Sequence, residues 1–186
     1  MRKLAFLCAI GLLAALSAAA QEKTTTEITV GYSYLRANPN TSSMPSFNAN
    51  GGNASVAFYP WHWLGFAADF GGYHVGQIGS SSVDANMTSY LFGPRIRLPG
   101  TTHFRPFAQI LGGGAHAWSD TGFGLSGTRN APAMAVGGGL DLPLTKHVGA
   151  RLFEVNYVPT WFPEKTGGGR VVQNNVRIST GIRFRF

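Results

Sequence analysis

The sequence of 186 residues is long enough for one domain and not comfortably for two, and its 25 glycines, 12% charged and 12% aromatic residues favour many short strands over helices. Its formal net charge of +7 would suit a nucleic-acid partner. The basic residues occur singly rather than in a run or stripe, however, so nucleic-acid binding is not expected.

The amino-terminal segment carries the three parts of a secretory signal. Arg2 and Lys3 precede an apolar run over residues 4–16, and small residues follow as far as Ala20. This run is shorter than the about 20 residues of a membrane-spanning helix. The sequence therefore predicts a signal peptide over residues 1–20, cleavage after Ala20 and a mature domain over residues 21–186. Because the sole cysteine, Cys8, lies in the signal, disulfide and thiolate chemistry are not expected in the mature chain.

Seven stretches after the signal alternate between apolar and polar residues with a period of two, which indicates β-strands rather than helices. They cover residues 27–36, 51–59, 64–73, 87–98, 103–118, 131–142 and 148 to about 161. Their connections are alternately long (37–50, 74–86, 119–130 and 162–170) and short (60–63, 99–102 and 143–147). Long loops on one side and short turns on the other are typical of outer-membrane β-barrels.

The seventh strand breaks this alternation at its charged residues. Arg151 and Glu154 are three positions apart, so they fall on opposite faces of a regular strand. Two arrangements reconcile them: a β-bulge between the two residues, or a place for Arg151 at the inner rim.

The last strand, residues 171–186, has the clearest pattern. Every even position from Val176 to Phe186 except Thr180 is apolar, and the odd positions from Asn175 to Arg185 carry no large apolar side chain. Alternation alone does not distinguish a soluble sandwich from a membrane barrel. An apolar strand that ends the chain on an aromatic residue would leave a sticky edge in water, and closure against the first strand removes it. The predicted fold is therefore all-β: an eight-stranded, antiparallel, up-and-down transmembrane β-barrel.

Aromatic residues lie near the ends of the predicted strands. They are Trp61, Trp63, Trp118, Trp161, Tyr59, Tyr73, Phe104 and Phe162. We interpret them as two aromatic girdles at the membrane interfaces.

Three segments carry a family resemblance: residues 51–74 (GGNASVAFYPWHWLGFAADFGGYH), 89–97 (SYLFGPRIR) and 181–186 (GIRFRF). They resemble the small outer-membrane β-barrels of the outer-membrane-protein-A-like (OmpA-like) class of Gram-negative bacteria. The resemblance implies export through the periplasm to the outer membrane. It also implies that the barrel-assembly machinery reads the terminal strand, where Phe186, Phe184 and Ile182 match the family's signal. Relatives often continue into a peptidoglycan-binding domain, which is not expected here because the sequence stops at Phe186.

The lumen of an eight-stranded barrel is just wide enough for side chains to fill it. Alternation places ten charged residues inside: Glu27, Asp69, Arg95, Arg97, Arg105, Asp141, Glu154, Arg177, Arg183 and Arg185. These charges must pair, because an isolated buried charge is strongly disfavoured. The pairs expected between strands are Arg105 with Asp141, Asp69 with Arg95, and Arg177 with Glu154 or Glu27. The interior is predicted to be a polar plug, and the alternative is a narrow anion-preferring channel lined by surplus arginines.

Three apparent signals for other chemistry are weak. Gly122, Gly124 and Gly127 have the spacing of a phosphate-binding loop but precede no helix. The histidines of the three short turns, His62, His103 and His147, are expected roughly 10 Å apart, too far to share a metal ion. His116, Ser119 and Asp120 suggest a lipid-modifying enzyme, but His116 and Ser119 fall on opposite faces. No catalytic residue, cofactor or metal is expected.

Four functions follow from this reading. The first is a monomeric structural barrel with exposed loops, in contact with membrane lipid and lipopolysaccharide. Basic residues near the outer rim are placed to touch lipopolysaccharide phosphates: Arg36, Arg129, Lys165 and Arg170. The others are the small channel, the lipid-modifying enzyme, and a soluble barrel for an apolar ligand whose aromatic residues would face inward.

Overall fold

The described residues form a closed barrel of eight antiparallel strands. In the computed structural model these residues are 24–39, 45–78, 81–119, 129–163 and 170–186. The strands are β1 (Thr25–Pro39), β2 (Phe47–Tyr59), β3 (Leu64–Ile78), β4 (Ser81–Arg97), β5 (Arg105–Ser119), β6 (Arg129–Pro143), β7 (Val148–Pro163) and β8 (Arg170–Arg185). Each strand pairs with its neighbours in the chain and β8 also pairs with β1, so the predicted fold class is confirmed.

The signal peptide predicted over residues 1–20 and its cleavage site lie outside the described residues. Within the part of the chain that is described, no helix is both long and apolar enough to cross a membrane.

The two ends of the barrel differ. The turns over residues 60–63, 98–104 and 144–147 lie at the same end as the start of β1 and as Phe186, and we call it the terminal end. We call the opposite end the loop end. There β3 continues to Ile78 and β4 begins at Ser81, so the prediction of a loop over residues 74–86 is wrong. The hydrogen-bonded pairing of β3 and β4 extends beyond the segment in which one face of each strand is apolar. Without alternation of apolar and polar residues, the sequence does not indicate a strand there.

The alternation of the strands is confirmed, with the bulky apolar side chains outside and the ionic side chains inside. The exposed outward set includes Val30, Phe58, Phe66, Phe70, Phe92, Ile110, Phe153, Val155, Ile178 and Ile182. The buried inward set includes Glu27, Asp69, Arg95, Asp141, Glu154 and Arg177. Because the aromatic residues of the strands mostly face outward, the soluble barrel with an apolar ligand inside is wrong.

Closure of the barrel staggers its strands. Following the cross-strand partners of Thr29 through each strand in turn leads back to β1 at Pro39, ten residues farther along. Strand number and stagger together fix the tilt of the strands and the narrow lumen. At the β1–β8 seam Gly31 and Gly181 are partners, and a Cβ on either would lie 2.8 Å from the Cα of the other, so glycine permits the close approach of the two strands.

One strand, β7, contains a bulge at Leu152. The ladder to β6 skips Leu152, because Arg151 and Phe153 pair with consecutive residues of β6. Leu152 and Phe153 both face outward, and Arg151 and Glu154 are both buried inside. Of the two arrangements predicted for this strand, the bulge is confirmed and the inner-rim position is wrong.

Deletion of Leu152 is expected to leave the barrel folded. The shortened β7 becomes a regular strand in which Arg151 and Glu154 still face inward and keep their partners on β6 and β8. The measurement is electrophoresis with and without heating, because a closed barrel stays folded in cold detergent and changes mobility when it is heated.

Deletion of Val155, three residues away, is the matched control. Without Val155, a regular β7 with Arg151 and Asn156 inside places Glu154 on the outward, apolar face. A charge on that face destabilises the barrel, so this variant is expected to lose the electrophoretic band of the folded protein. A barrel that survives the loss of Val155 but not the loss of Leu152 would contradict the position of the bulge.

Candidate functional site

At the terminal end of the lumen, the carboxylate of Glu27 on β1 binds two arginines. Its Oε1 accepts hydrogen bonds from Arg97 Nη2 at 2.9 Å and from Arg183 Nη1 at 2.8 Å. Arg97 lies on β4, across the lumen from β1, and Arg183 lies on the neighbouring β8. Arg183 Nη1 also lies 3.6 Å from Asp141 Oδ2, which extends the contacts toward the middle of the barrel.

In the middle of the lumen, arginines and carboxylates again form a series of ion pairs. Arg151 donates from Nε and Nη2 to the two oxygens of Asp141, at 2.9 and 3.2 Å, and from Nη1 to Glu154 Oε2 at 2.6 Å. Arg177 donates to Glu154 Oε1 at 3.1 Å and to Asp69 Oδ1 at 2.5 Å. The result is one continuous series, which we call the ion-pair chain: Arg97, Glu27, Arg183, Asp141, Arg151, Glu154, Arg177 and Asp69.

Arg95 is a buried cation outside the ion-pair chain. Its Nε donates to Gln109 Oε1 at 2.8 Å, and Gln109 Nε2 donates in turn to Glu154 Oε1 and to Asn156 Oδ1, both at 3.0 Å. The Arg95 guanidinium also lies 4.9 Å from the centre of the Phe107 ring. Within the described residues, however, its Nη1 and Nη2 have no hydrogen-bond partner. Arg95 is therefore a surplus positive charge beside a balanced series.

The structure places the ten predicted lumen residues in two groups. Seven are buried: Glu27, Asp69, Arg95, Asp141, Glu154, Arg177 and Arg183. The other three, Arg97, Arg105 and Arg185, are partly exposed at the terminal end.

Several of the predicted pairs are wrong. Arg105 and Asp141 are cross-strand partners, but Asp141 forms its ion pairs with Arg151 and Arg183. Asp69 pairs with Arg177 and not with Arg95. Of the two partners predicted for Arg177, Glu154 is the one it binds. The predicted pairs all join neighbouring strands, whereas a long arginine side chain reaches across the narrow lumen, as Arg177 does from β8 to β3.

Three inward side chains were missed or misplaced by the sequence reasoning. Arg151 was left out of the lumen set because its parity conflicted with that of Glu154, which was the one available signal of the bulge. Tyr59 and Tyr73 were assigned to the aromatic girdles, but both are buried inside. The guanidinium of Arg97 lies 3.5 Å from the centre of the Tyr59 ring, and Tyr73 Oη lies 3.3 Å from Ser33 Oγ.

On the loop side of the ion-pair chain the lumen is filled by apolar side chains. We call this filling the apolar layer, and its members are Leu35, Ala49, Tyr73, Val75, Leu91, Leu111, Ala115, Ala133, Ala135 and Val158. A cavity of about 10 Å³ lies where the layer meets Arg177, close to the volume that admits one water molecule. The expectation of a polar interior therefore holds for the terminal half of the lumen. The loop half is mainly apolar, with the buried polar residues Asn175 and Thr160 among its members.

The remaining candidate residues do not assemble into a reactive site. His62, His103 and His147 are exposed in separate turns, and among the described residues no group of three or more His, Cys, Asp or Glu could hold a metal ion. His116 Nδ1 lies 2.6 Å from Asn130 Oδ1 on the outward face. The glycines of the 122–127 motif and Asp120 lie outside the described residues.

The terminal strand presents its aromatic residues outward. Phe186 is 69% exposed, and Ile182 and Phe184 share its face. The backbone of Phe186 is nevertheless fixed, because its N donates to Thr26 O at 2.9 Å and its O accepts from Thr26 N at 3.2 Å.

Comparison with known proteins gives a consistent result for this architecture. A family model described as "Outer membrane protein beta-barrel domain" matches residues 5–184. The chain is similar to the structure of Neisserial surface protein A, with a TM-score of 0.68 and 16% identity over 89% of this chain and 100% of that chain. It is also similar to the attachment invasion locus protein Ail of Yersinia pestis, with a TM-score of 0.56 and 18% identity over 89% and 100%.

A third similar structure is that of OprG from Pseudomonas aeruginosa, with a TM-score of 0.54 and 11% identity over 89% of this chain and 97% of that chain. Identities this low show a shared fold and nothing further. The comparison with curated proteins gave no match.

Proposed function

This chain belongs to the family of outer-membrane protein β-barrel domains, and from that membership we propose that it is a structural barrel of the outer membrane with a sealed lumen. The loop end faces the exterior and the terminal end faces the periplasm, the usual orientation of such barrels. The observation that carries the proposal is the succession of two fillings along the lumen, the ion-pair chain and then the apolar layer.

The ion-pair chain closes the terminal half of the lumen. Arg97 connects β4 to Glu27 on β1, and Arg177 connects β8 to Asp69 on β3, so two bridges cross the barrel at different levels. A permeating ion would have to separate buried pairs, and separation leaves charges without partners in a medium of low polarity. The apolar layer adds a second barrier, because a narrow apolar constriction expels water.

The outward surface near the loop end carries a polar collar. Each of its four hairpins contains a side-chain bridge in which an asparagine Oδ1 takes part. The bridges are Tyr32–Asn50 (2.6 Å), His74–Asn86 (3.2 Å), His116–Asn130 (2.6 Å) and Tyr157–Asn174 (2.6 Å). Such a ring of polar groups between apolar strand faces and the loops is suited to the headgroup level of the outer leaflet.

On the basis of this collar, membrane lipid and lipopolysaccharide are proposed as the partners of the barrel. Arg36, beside the collar, is exposed and donates to Asn48 Oδ1 at 2.7 Å, and it lines an outward cleft of about 520 Å³. Every aspartate and glutamate side chain whose burial the structure describes lies in the lumen, so the described side chains of the loop end attract phosphate rather than repelling it. Arg129, Lys165 and Arg170 are proposed to act with Arg36. The chain is proposed to act as a monomer, because the closed barrel leaves no free strand edge.

A small anion-preferring channel is the second candidate, and the surplus charge of Arg95 is the observation that favours it. A buried guanidinium with two free nitrogen atoms attracts anions, but here the ion-pair chain and the apolar layer lie along the path. We assign no enzymatic role, because the contact between a hydroxyl and a histidine in the described chain, Thr102 Oγ1 to His103 Nδ1 at 3.1 Å, lies in an exposed turn.

Planar-bilayer recordings are expected to show no reproducible conductance for the purified barrel, since both halves of the lumen are filled. Incorporation is checked by the heat-dependent mobility of protein recovered from the bilayer-forming vesicles. Reproducible anion-selective steps that disappear in the Arg95→Gln variant would contradict the seal and favour the channel.

The carboxyl-terminal residues Phe186, Phe184 and Ile182 are proposed to be the signal for the barrel-assembly machinery, as the family resemblance implies. Replacing Phe186 by alanine removes the exposed ring but keeps both backbone hydrogen bonds to Thr26. We expect this variant to refold normally in detergent and to accumulate less in the outer membrane of a Gram-negative host, with secretion unchanged. Quantitative blotting of membrane and periplasmic fractions measures the effect.

Phe186→Tyr is the matched control, because it keeps an aromatic ring at the terminus, and it is expected to assemble like the unaltered chain. Normal membrane levels of Phe186→Ala would refute the role of the ring in assembly.

A further inference from the structure

The terminal end of the lumen opens through a group of four arginines, which we call the arginine mouth: Arg97, Arg105, Arg183 and Arg185. Strand alternation turns all four toward the lumen, as it does for the buried residues Phe107 and Ser179 on the same strand faces. The carboxylates within the mouth are Glu27 and Asp141, and Asp141 is already bound by Arg151. Positive charge is therefore in excess at this end.

Two members of the mouth have no counter-charge. Arg97 is paired with Glu27, and Arg183 with Glu27 and Asp141. In the described part of the chain, the guanidinium groups of Arg105 and Arg185 take part in no ion pair and no side-chain hydrogen bond. Both side chains are partly exposed, so a ligand from solution can reach them.

The two unpaired guanidinium groups belong to one cluster. Arg185 is the cross-strand partner of Glu27, and Arg105 is the cross-strand partner of Asp141. Arg183 binds both of these carboxylates and so connects the two positions. Arg105 and Arg185 carry like charges and repel each other. An anion between them would relieve that repulsion.

We propose that the arginine mouth is a binding site for a phosphate group, with Arg105 and Arg185 as its direct ligands. Two uncompensated charges match the charge of about −1.5 to −2 on a phosphate monoester at neutral pH. The planar fork of each guanidinium fits two phosphate oxygens, whereas a carboxylate has too few oxygens and too little charge to satisfy both arginines.

The wall of this site is already rigid. Arg97 is held by Glu27, by a hydrogen bond from its Nη1 to His62 O at 3.0 Å, and by the Tyr59 ring at 3.5 Å. Arg183 is held by its two carboxylates. A bound phosphate therefore contacts Arg105 and Arg185, whose side chains can adjust, and lies next to Arg97 and Arg183, whose side chains are fixed. Further passage is blocked by the ion-pair chain, so the site binds an anion without conducting it, and the proposal does not depend on the conductance of the barrel.

Titration calorimetry of the whole barrel in zwitterionic detergent tests this site, with inorganic phosphate as the probe and acetate as the comparison anion. We expect saturable phosphate binding that is stronger than acetate binding. Arg105→Gln and Arg185→Gln should each weaken phosphate binding about tenfold, and the double variant should lose it. Heat-dependent mobility confirms that each variant is folded, which is expected because both side chains are partly exposed.

Lys146→Gln, which removes an exposed cation of the 144–147 turn at the same end, is the matched control and should bind phosphate like the unaltered barrel. The proposal is overturned if the barrel shows no saturable binding, or if Arg105→Gln and Arg185→Gln bind phosphate as tightly as Lys146→Gln does.

The same titration in lipid nanodiscs identifies the source of the phosphate. Weaker binding of inorganic phosphate in phosphatidic acid discs than in phosphatidylcholine discs means that the phosphate monoester of a lipid headgroup occupies the mouth. Equal binding in the two lipids means that the ligand is a soluble phosphate compound of the periplasm. Either result supports the site.

Discussion

The pairing of charges inside the lumen is the constraint on which the rest of the structure depends. A barrel that exposes its apolar faces to lipid has only the interior for its ionic residues, and there each charge must find a partner. The series from Arg97 to Asp69 meets this requirement by alternating sign across β1, β3, β4, β6, β7 and β8. The bulge at Leu152 follows from the same requirement, because a regular strand of this sequence would turn either Arg151 or Glu154 outward.

The distribution of the charges divides the lumen into parts with different properties. The terminal half contains the ion pairs, the loop half is mainly apolar, and the boundary holds space for about one water molecule. This division supports a sealed barrel whose function lies at its two ends. At the loop end the polar collar and Arg36 are proposed to contact the phosphates and sugars of the outer leaflet. At the terminal end the unpaired Arg105 and Arg185 concentrate positive charge where no carboxylate of the described chain binds it.

The strand count, the faces of the strands and most of the buried ions could be predicted from sequence, because a period of two determines which residues share a face. Glu27 and Arg177 are examples. The partner of Arg177 on the neighbouring strand, Glu154, could be predicted. Its partner Asp69 could not, since that contact crosses the lumen and depends on barrel diameter and stagger rather than on neighbouring strands. Tyr59 was misassigned because position near a strand end was given more weight than parity. The extensions of β3 and β4 were missed because polar residues on both faces leave no periodic signal.

The central claim is tested most directly by comparing two buried arginines, one inside the ion-pair chain and one whose hydrogen-bond partner, Gln109, is uncharged. Arg95 and Arg177 are each 1% exposed, and each is replaced by methionine. In urea unfolding of the barrel in lipid vesicles, Arg177→Met is expected to lower the free energy of unfolding by roughly 3–5 kcal/mol, because it leaves Asp69 and Glu154 without their shared partner. Arg95→Met removes a charge whose Nη atoms have no partners and is expected to change it by about 1 kcal/mol or less. Equal losses for the two variants, or a larger loss for Arg95→Met, would contradict the account.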